Sequence, residues 1–147
     1  MKFSEEETSF ELSLTGYQFP NAINEPYDSN WLVVQLNLVT ANGVWGISDP
    51  CLLTYDVSRL ANWFDKIDSG NFQEKECDFL EPVLSFRIIN NDGKKFLRVR
   101  LTHEAMPSWA QDQDEYSVEF LLSELDLKLA SENLRRQLEK YPQRAAE

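Results

Sequence analysis

Length, composition and charge restrict the class of protein before any motif is considered. The chain has 147 residues, of which 14 are Lys or Arg and 25 are Asp or Glu, so its formal net charge is −11. With 42% hydrophobic and 27% charged residues, the composition is typical of one folded domain, here residues 1–147. Because nucleic-acid-binding proteins and proteins that dock on anionic membranes need basic surfaces, the charge argues against both classes and favours a basic protein partner.

The first residues and the cysteines predict a cytoplasmic protein. Met1-Lys2-Phe3 is followed by a serine and three glutamates, where a secretory signal would have an apolar run. No segment approaches the ~18 continuous apolar residues of a membrane helix. Cys51 and Cys77 are far apart and form no CxxC motif, so we expect reduced thiols rather than a disulfide.

The first half of the chain predicts antiparallel strands. Residues 8–15 alternate apolar and polar, which is typical of a half-buried strand, and Gly16 is expected to end it. After a loop over residues 17–29, residues 31–40 predict a more central strand. Asn42-Gly43 is a strong signal for a tight hairpin turn, and residues 44–48 form the return strand, which Asp49-Pro50 is expected to break.

The hydrophobic period then changes to that of a helix. Val57, Leu60, Phe64 and Ile67 recur at steps of three and four residues. Thr54 or Asp56 is expected to cap the first amides, and Gly70 to end the helix because it adopts the left-handed conformation easily. Three tryptophans lie in such periodic segments and are expected in the core: Trp31, Trp45 and Trp63.

The second half predicts a strand within residues 72–80, then a hairpin of residues 83–90 and 94–102 around a turn at Asn90–Gly93. One face of this hairpin carries Arg87, Arg98 and Arg100, so we expect that face to be cationic. A last strand covers residues 116–122, and Ser123 is expected to cap a final helix that Pro142 ends. The predicted fold class is α+β, a largely antiparallel sheet of about six to seven strands with two helices packed on it.

No catalytic motif emerges from the residues, and they predict neither a cofactor nor a metal. His103 is the only histidine, and neither cysteine has a partner at metal-ligand spacing. With 5 glycines there is no phosphate-binding loop. Paired carboxylates of a glycosidase type remain an open alternative, because Asp28, Glu81 and Glu104 lie in segments with Pro or Trp nearby.

The acidic excess provides the candidates for partner binding. A net charge of −11 exceeds the magnitude of about 2–8 that serves solubility in a small domain. Trp109, in a loop, could contact a partner or fold back over a sheet edge. The predicted partner-binding residues are Glu5, Glu6, Glu7, Trp109, Asp112, Asp114 and Glu115.

Four strings of the sequence, in this order and spacing, resemble the WapI-type bacterial immunity proteins. They are Leu14-Thr15-Gly16-Tyr17-Gln18-Phe19-Pro20, Tyr27-Asp28-Ser29-Asn30-Trp31-Leu32, Phe79-Leu80-Glu81-Pro82-Val83-Leu84-Ser85-Phe86 and Tyr141-Pro142-Gln143-Arg144. The resemblance implies a non-enzymatic cytoplasmic antitoxin. Such a protein binds and occludes the C-terminal toxin domain of a cell-wall-associated polymorphic toxin, which in the type system cleaves tRNA. The residues also leave open a small β-rich domain with a pocket for a sugar or lipid.

Overall fold

The computed structural model describes residues 1–145 and confirms the α+β class. Two α-helices, α1 (Thr54–Asp68) and α2 (Leu127–Lys140), accompany eight strands. The strands are β1 (Lys2–Glu5), β2 (Thr8–Tyr17), β3 (Trp31–Thr40), β4 (Gly43–Leu53), β5 (Glu76–Cys77), β6 (Leu84–Asn91), β7 (Lys94–Leu101) and β8 (Tyr116–Leu121).

The strands form two four-stranded sheets rather than one. Sheet I has the order β1-β2-β3-β4, sheet II has the order β5-β6-β7-β8, and every pairing is antiparallel. The strand count is slightly higher than predicted because β1 is too short to show a clear period. Of the strand predicted within residues 72–80, only Glu76–Cys77 pairs. A period of two reveals which residues share a face, but it carries no information on which sheet a strand joins.

One turn and one strand end differ from prediction in detail. The β3–β4 turn consists of Ala41 and Asn42, while Gly43 already pairs with Thr40 and has φ 143°. β4 continues through Asp49-Pro50, because β4 lies at the edge of sheet I and its register with β3 shifts there. Proline is tolerated at such a position, since no neighbouring strand needs its missing N–H.

A cluster of aromatic rings joins both sheets and α1 into one core. The ring of Phe64 in α1 lies 5.7 Å from Phe3 of sheet I and 5.7 Å from Phe86 of sheet II, in both cases edge-on. Phe86 also meets Phe10 across the two sheets at 6.1 Å. Trp63 is buried as predicted, whereas Trp31 and Trp45 are only half-buried.

The predicted ends of α1 are confirmed in part. The Leu53 N–H donates to the Asp56 carboxylate at 2.9 Å, so Asp56 satisfies one amide at the helix start. The Thr54 hydroxyl instead donates to Asn30 Oδ1 at 2.9 Å. Gly70 follows the helix with φ 87°, the left-handed conformation that the prediction required of it.

α2 begins later than predicted, because Asp126 rather than Ser123 caps it. Ser123 lies in a short 3₁₀ turn, Leu122–Glu124, that directly follows β8. The Leu129 N–H then donates to the Asp126 carboxylate at 2.9 Å. α2 packs on α1, where the Ser131 hydroxyl donates to Asp65 at 2.5 Å. Its Gln137 accepts from the Leu14 N–H of β2 at 2.7 Å, next to the bulge between Leu14 and Gly16.

The segment after α2 holds the long loop between β2 and β3 in place. The Arg144 guanidinium donates three hydrogen bonds of 2.7–2.8 Å, to the carbonyls of Ser29, Pro20 and Phe19. Its centre lies 3.7 Å from the centroid of the Tyr17 ring, a cation–π contact. Three of the four strings behind the resemblance therefore meet in one place, which we call the Arg144 clasp.

Candidate partner-binding surfaces

The three consecutive glutamates form the tip of the β1–β2 hairpin. Glu6 has φ 51°, as a tight turn requires, and Glu6 and Glu7 are exposed. Glu5 has a structural contact, since its carboxylate accepts the Leu121 N–H at the end of β8 at 2.9 Å. Glu6 and Glu7 are therefore accessible to a partner, whereas Glu5 connects the hairpin to sheet II.

Trp109 packs inward in the loop between β7 and β8. Its ring lies edge-on to Tyr116 at 6.0 Å, and it covers the start of β4, where a Cβ on Gly43 would come within 3.3 Å of it. Its indole Nε1 is buried and has no hydrogen-bond partner among the described residues. Asp112 and Asp114 are exposed, so the carboxylates of this loop are more accessible than its tryptophan.

The two predicted acidic segments lie at opposite ends of β8. Glu5 contacts Leu121, the last residue of this strand, and Trp109 contacts Tyr116, the first. Five residue steps along a strand separate these ends by about 17 Å. The structure therefore keeps the two segments apart, one at each end of β8, and does not bring them into one cluster.

A third acidic surface, which we call the acidic cleft, brings four carboxylates together. Asp28 comes from the β2–β3 loop, Asp49 from β4, Glu81 from the segment before β6, and Glu104 from a short 3₁₀ turn, His103–Ala105. The cleft encloses about 390 Å³. Its other lining residues are Gln18, Phe19, Trp31 and Pro50.

The acidic cleft has a strongly anionic character. None of the described residues that line it is basic. Burial raises the pKa of the Asp49 carboxyl above its ordinary value, and the negative charges of Glu104 and Glu81 add to this effect. Crowded carboxylates favour a cationic ligand, such as a lysine or arginine side chain, over a lipid, because a cation relieves their mutual repulsion.

The sequence predicts only some of the residues of the acidic cleft. The sequence offers Asp28, Glu81 and Glu104 as possible acids of a hydrolase, and the structure brings all three together. The sequence does not predict Asp49 as a member, because Asp49-Pro50 indicates only the end of a strand. One feature of the sequence relates Asp49 to Glu81: each precedes a proline, at a position where the chain changes direction or register.

The prediction of a cationic face on the β6–β7 hairpin is wrong. Arg87 pairs with Glu76 of β5 at 2.7 Å, and Arg98 pairs with Glu119 of β8 at 3.3 Å. Arg100 pairs with Glu115, one of the predicted partner-binding residues. Glu76 of β5, Glu119 of β8 and Glu115 in the loop before β8 supply these acids, so each of the three arginines has a carboxylate partner.

The remaining candidates for chemistry have ordinary surroundings. His103 Nδ1 lies 3.0 Å from the Thr102 hydroxyl. Cys51 and Cys77 are free and buried, and burial raises the pKa of their thiols to about 12 and about 11. Within residues 1–145, no three His, Cys, Asp or Glu side chains are arranged to hold a metal ion. No helix in this range has the length and apolar character that a bilayer span requires.

The relationship to known proteins rests on a family model. No curated protein and no solved structure gives a significant match to the chain. The model of the immunity protein WapI-like family matches residues 1–142, nearly the whole chain, and includes both sheets and both helices. This protein therefore belongs to the WapI-like immunity protein family.

Proposed function

We propose that this protein is a non-enzymatic antitoxin that binds a toxin domain directly and occludes its active surface. Membership of the WapI-like immunity protein family is the observation that carries the proposal. The toxin we propose is a nuclease that cleaves tRNA, as the resemblance to WapI-type immunity proteins implies. The proposed compartment is the cytoplasm, where tRNA is found.

Electrostatics supports this choice of partner. A nuclease that grips RNA presents basic side chains to the phosphates. An inhibitor with a net charge of −11 can occupy the same surface with carboxylates in place of phosphates. The ion pairs of Arg87, Arg98 and Arg100 support the proposal as well, because each of these arginines has a carboxylate partner.

We propose two contact regions on the antitoxin. One is the acidic cleft, whose four carboxylates converge on one space. The other comprises the two ends of β8, where exposed carboxylates come from Glu6 and Glu7 at one end and from Asp112 and Asp114 at the other. The predicted residues Glu5, Trp109 and Glu115 also have contacts within the fold, so we expect them to orient these segments as well as to face the partner.

Co-expression with the toxin domain encoded next to this gene tests the function. We expect cells that produce both proteins to grow and to keep intact tRNA, whereas cells that produce the toxin domain alone lose both. Cleavage of tRNA at the same rate with the antitoxin in excess would contradict the proposal for that toxin. Purified proteins should form a stable complex, and the antitoxin should not be consumed or altered.

The salt dependence of association tests the electrostatic mechanism. The screening length falls from about 10 Å at 0.1 M salt to about 3 Å at 1 M, so we expect the association rate to fall steeply over this range. A double variant of the cleft, Glu81→Gln with Glu104→Gln, should associate more slowly than a control with the same charge change on the helical surface, Asp68→Asn with Glu132→Gln. Equal effects of the two variants would exclude the cleft as a specific contact.

A further inference from the structure

The outer side of β1 is an unpaired strand edge. Met1 and Leu12 exchange two backbone hydrogen bonds, of 3.0 Å and 2.8 Å, so they form a hydrogen-bonded pair between β1 and β2. Such pairs alternate along an antiparallel ladder, which makes Phe3 and Phe10 the next one. The N–H and C=O groups of Lys2 and Ser4 therefore point away from β2, and no hydrogen bond from residues 1–145 reaches them.

The other strands at sheet edges are β4, β5 and β8, and each has a contact or a length that limits strand addition at one point. Along β4, the Trp45 indole N–H donates to the Ala105 carbonyl at 3.1 Å, and the Trp109 ring lies over Gly43. β5 has two residues only. At the end of β8, the Glu5 carboxylate accepts the Leu121 N–H. Proteins usually protect such edges because unpaired backbone groups invite another strand. The edge of β1 is distinguished by the groove that lies beside it.

A groove of about 400 Å³ runs beside this edge, between β1 and the start of α2. Its apolar part includes Leu125 and Leu129, and Leu129 is 56% exposed although it is a large hydrophobic residue. Its charged side chains are three carboxylates and one lysine: Glu11, Glu124, Asp126 and Lys2. The groove thus offers free backbone groups, an apolar contact and an excess of negative charge.

We propose that an extended segment of the toxin domain, with lysine or arginine side chains, binds in this groove as an additional strand on β1. Strand addition uses main-chain hydrogen bonds for affinity and alternate side chains for specificity. The segment would pair with Lys2 and Ser4, contact Leu129 with an apolar side chain, and direct its basic side chains to Glu124 and Asp126. The inference rests on the proposed function, because it takes the toxin domain as the partner.

A matched pair of variants at Ser4 tests this binding mode. Ser4→Pro removes the outward N–H but leaves the hydrogen bonds between β1 and β2 intact, because the Ser4 N–H is not part of that ladder. Ser4→Ala keeps the N–H. For binding to the purified toxin domain, we expect the proline variant to be weakened roughly tenfold or more, as the loss of one buried hydrogen bond and a steric clash imply. The alanine variant should bind within about twofold of the wild type.

Hydrogen exchange of the wild-type complex provides a measurement that does not depend on the folding of the proline variant. The Lys2 and Ser4 amides should exchange fast in the free protein and slowly in the complex. Wild-type binding with no protection of these amides, or with equal affinity of Ser4→Pro, would overturn the inference but leave the proposed function standing. If the wild type does not bind the toxin domain at all, the proposed function itself fails. A dimer of this chain that Ser4→Pro abolishes, with toxin binding unchanged, would also overturn it.

Discussion

Replacement of Arg144 by alanine tests whether the segment after α2 stabilises the fold. The substitution removes three hydrogen bonds from a charged group to backbone carbonyls and a cation–π contact with Tyr17. Hydrogen bonds that involve a charged group contribute about 1.5–3 kcal/mol each when buried. Because the side chain is partly exposed, we take about 1 kcal/mol for each bond and about 0.5 kcal/mol for the ring contact. The expected loss in the free energy of unfolding is therefore about 3–4 kcal/mol.

Urea denaturation followed by tryptophan fluorescence measures this loss. A change of about 3 kcal/mol should lower the midpoint by roughly 1–3 M, since the slope for a small domain is about 1–3 kcal/mol/M. Arg144→Lys should recover only a minor part, because an ammonium group cannot donate to three carbonyls in the fixed geometry of a guanidinium. Arg136→Ala is the matched control, since Arg136 is exposed on α2 and its loss should cost no more than about 0.5 kcal/mol.

The Arg144 clasp also predicts which amides lose protection from hydrogen exchange. In Arg144→Ala, the amides of the β2–β3 loop, residues 18–30, should lose protection from hydrogen exchange while the amides of β6 and β7 keep theirs. A variant as stable as the Arg136→Ala control, with unchanged exchange in the loop, would refute the reasoning that the segment after α2 holds this loop in place.

Three further outcomes follow from the core and from the shifted pKa values. Phe86→Ala should lower the free energy of unfolding by about 3–5 kcal/mol, measured by urea denaturation. Phe19→Ala should lower it far less, because the Phe19 side chain is 43% exposed. Similar losses in the two variants would contradict the assigned core. Cys51 and Cys77, whose thiols have pKa values raised to about 12 and about 11, should not react with Ellman's reagent at pH 8 until the protein is unfolded. Because the pKa of Asp49 is raised in the folded protein, stability should fall as the pH rises from the ordinary aspartate value of 3.8 through the folded-state value. Asp49→Asn should therefore have a higher free energy of unfolding than the wild type at neutral pH, and this difference should disappear below pH 3.8. A difference in stability that does not change with pH would exclude ionisation of Asp49 as its cause.

Several local features of the fold could be predicted from the sequence alone. The spacing of Val57, Leu60, Phe64 and Ile67 fixed the buried face of α1, and all four are buried in the core. The sequence predicts a turn at Asn90–Gly93, and within it Asp92 and Gly93 adopt positive φ values of 51° and 77°. Such signals are local, since a side chain's spacing along the chain sets the face on which it lies.

The surfaces that matter for binding were decided by the tertiary structure. Asp28, Asp49, Glu81 and Glu104 come from four separate segments, and no period in the sequence relates them. Likewise, the sequence of the β6–β7 hairpin predicts a cationic face, because the acidic partners of its arginines lie in other segments of the chain. These segments are β5, β8 and the loop before β8. The net charge of −11 is a property of the composition, whereas its distribution depends on which distant segments the common core brings together. The physical reason is that burial of apolar surface drives the two sheets together without regard to the charges that then become neighbours.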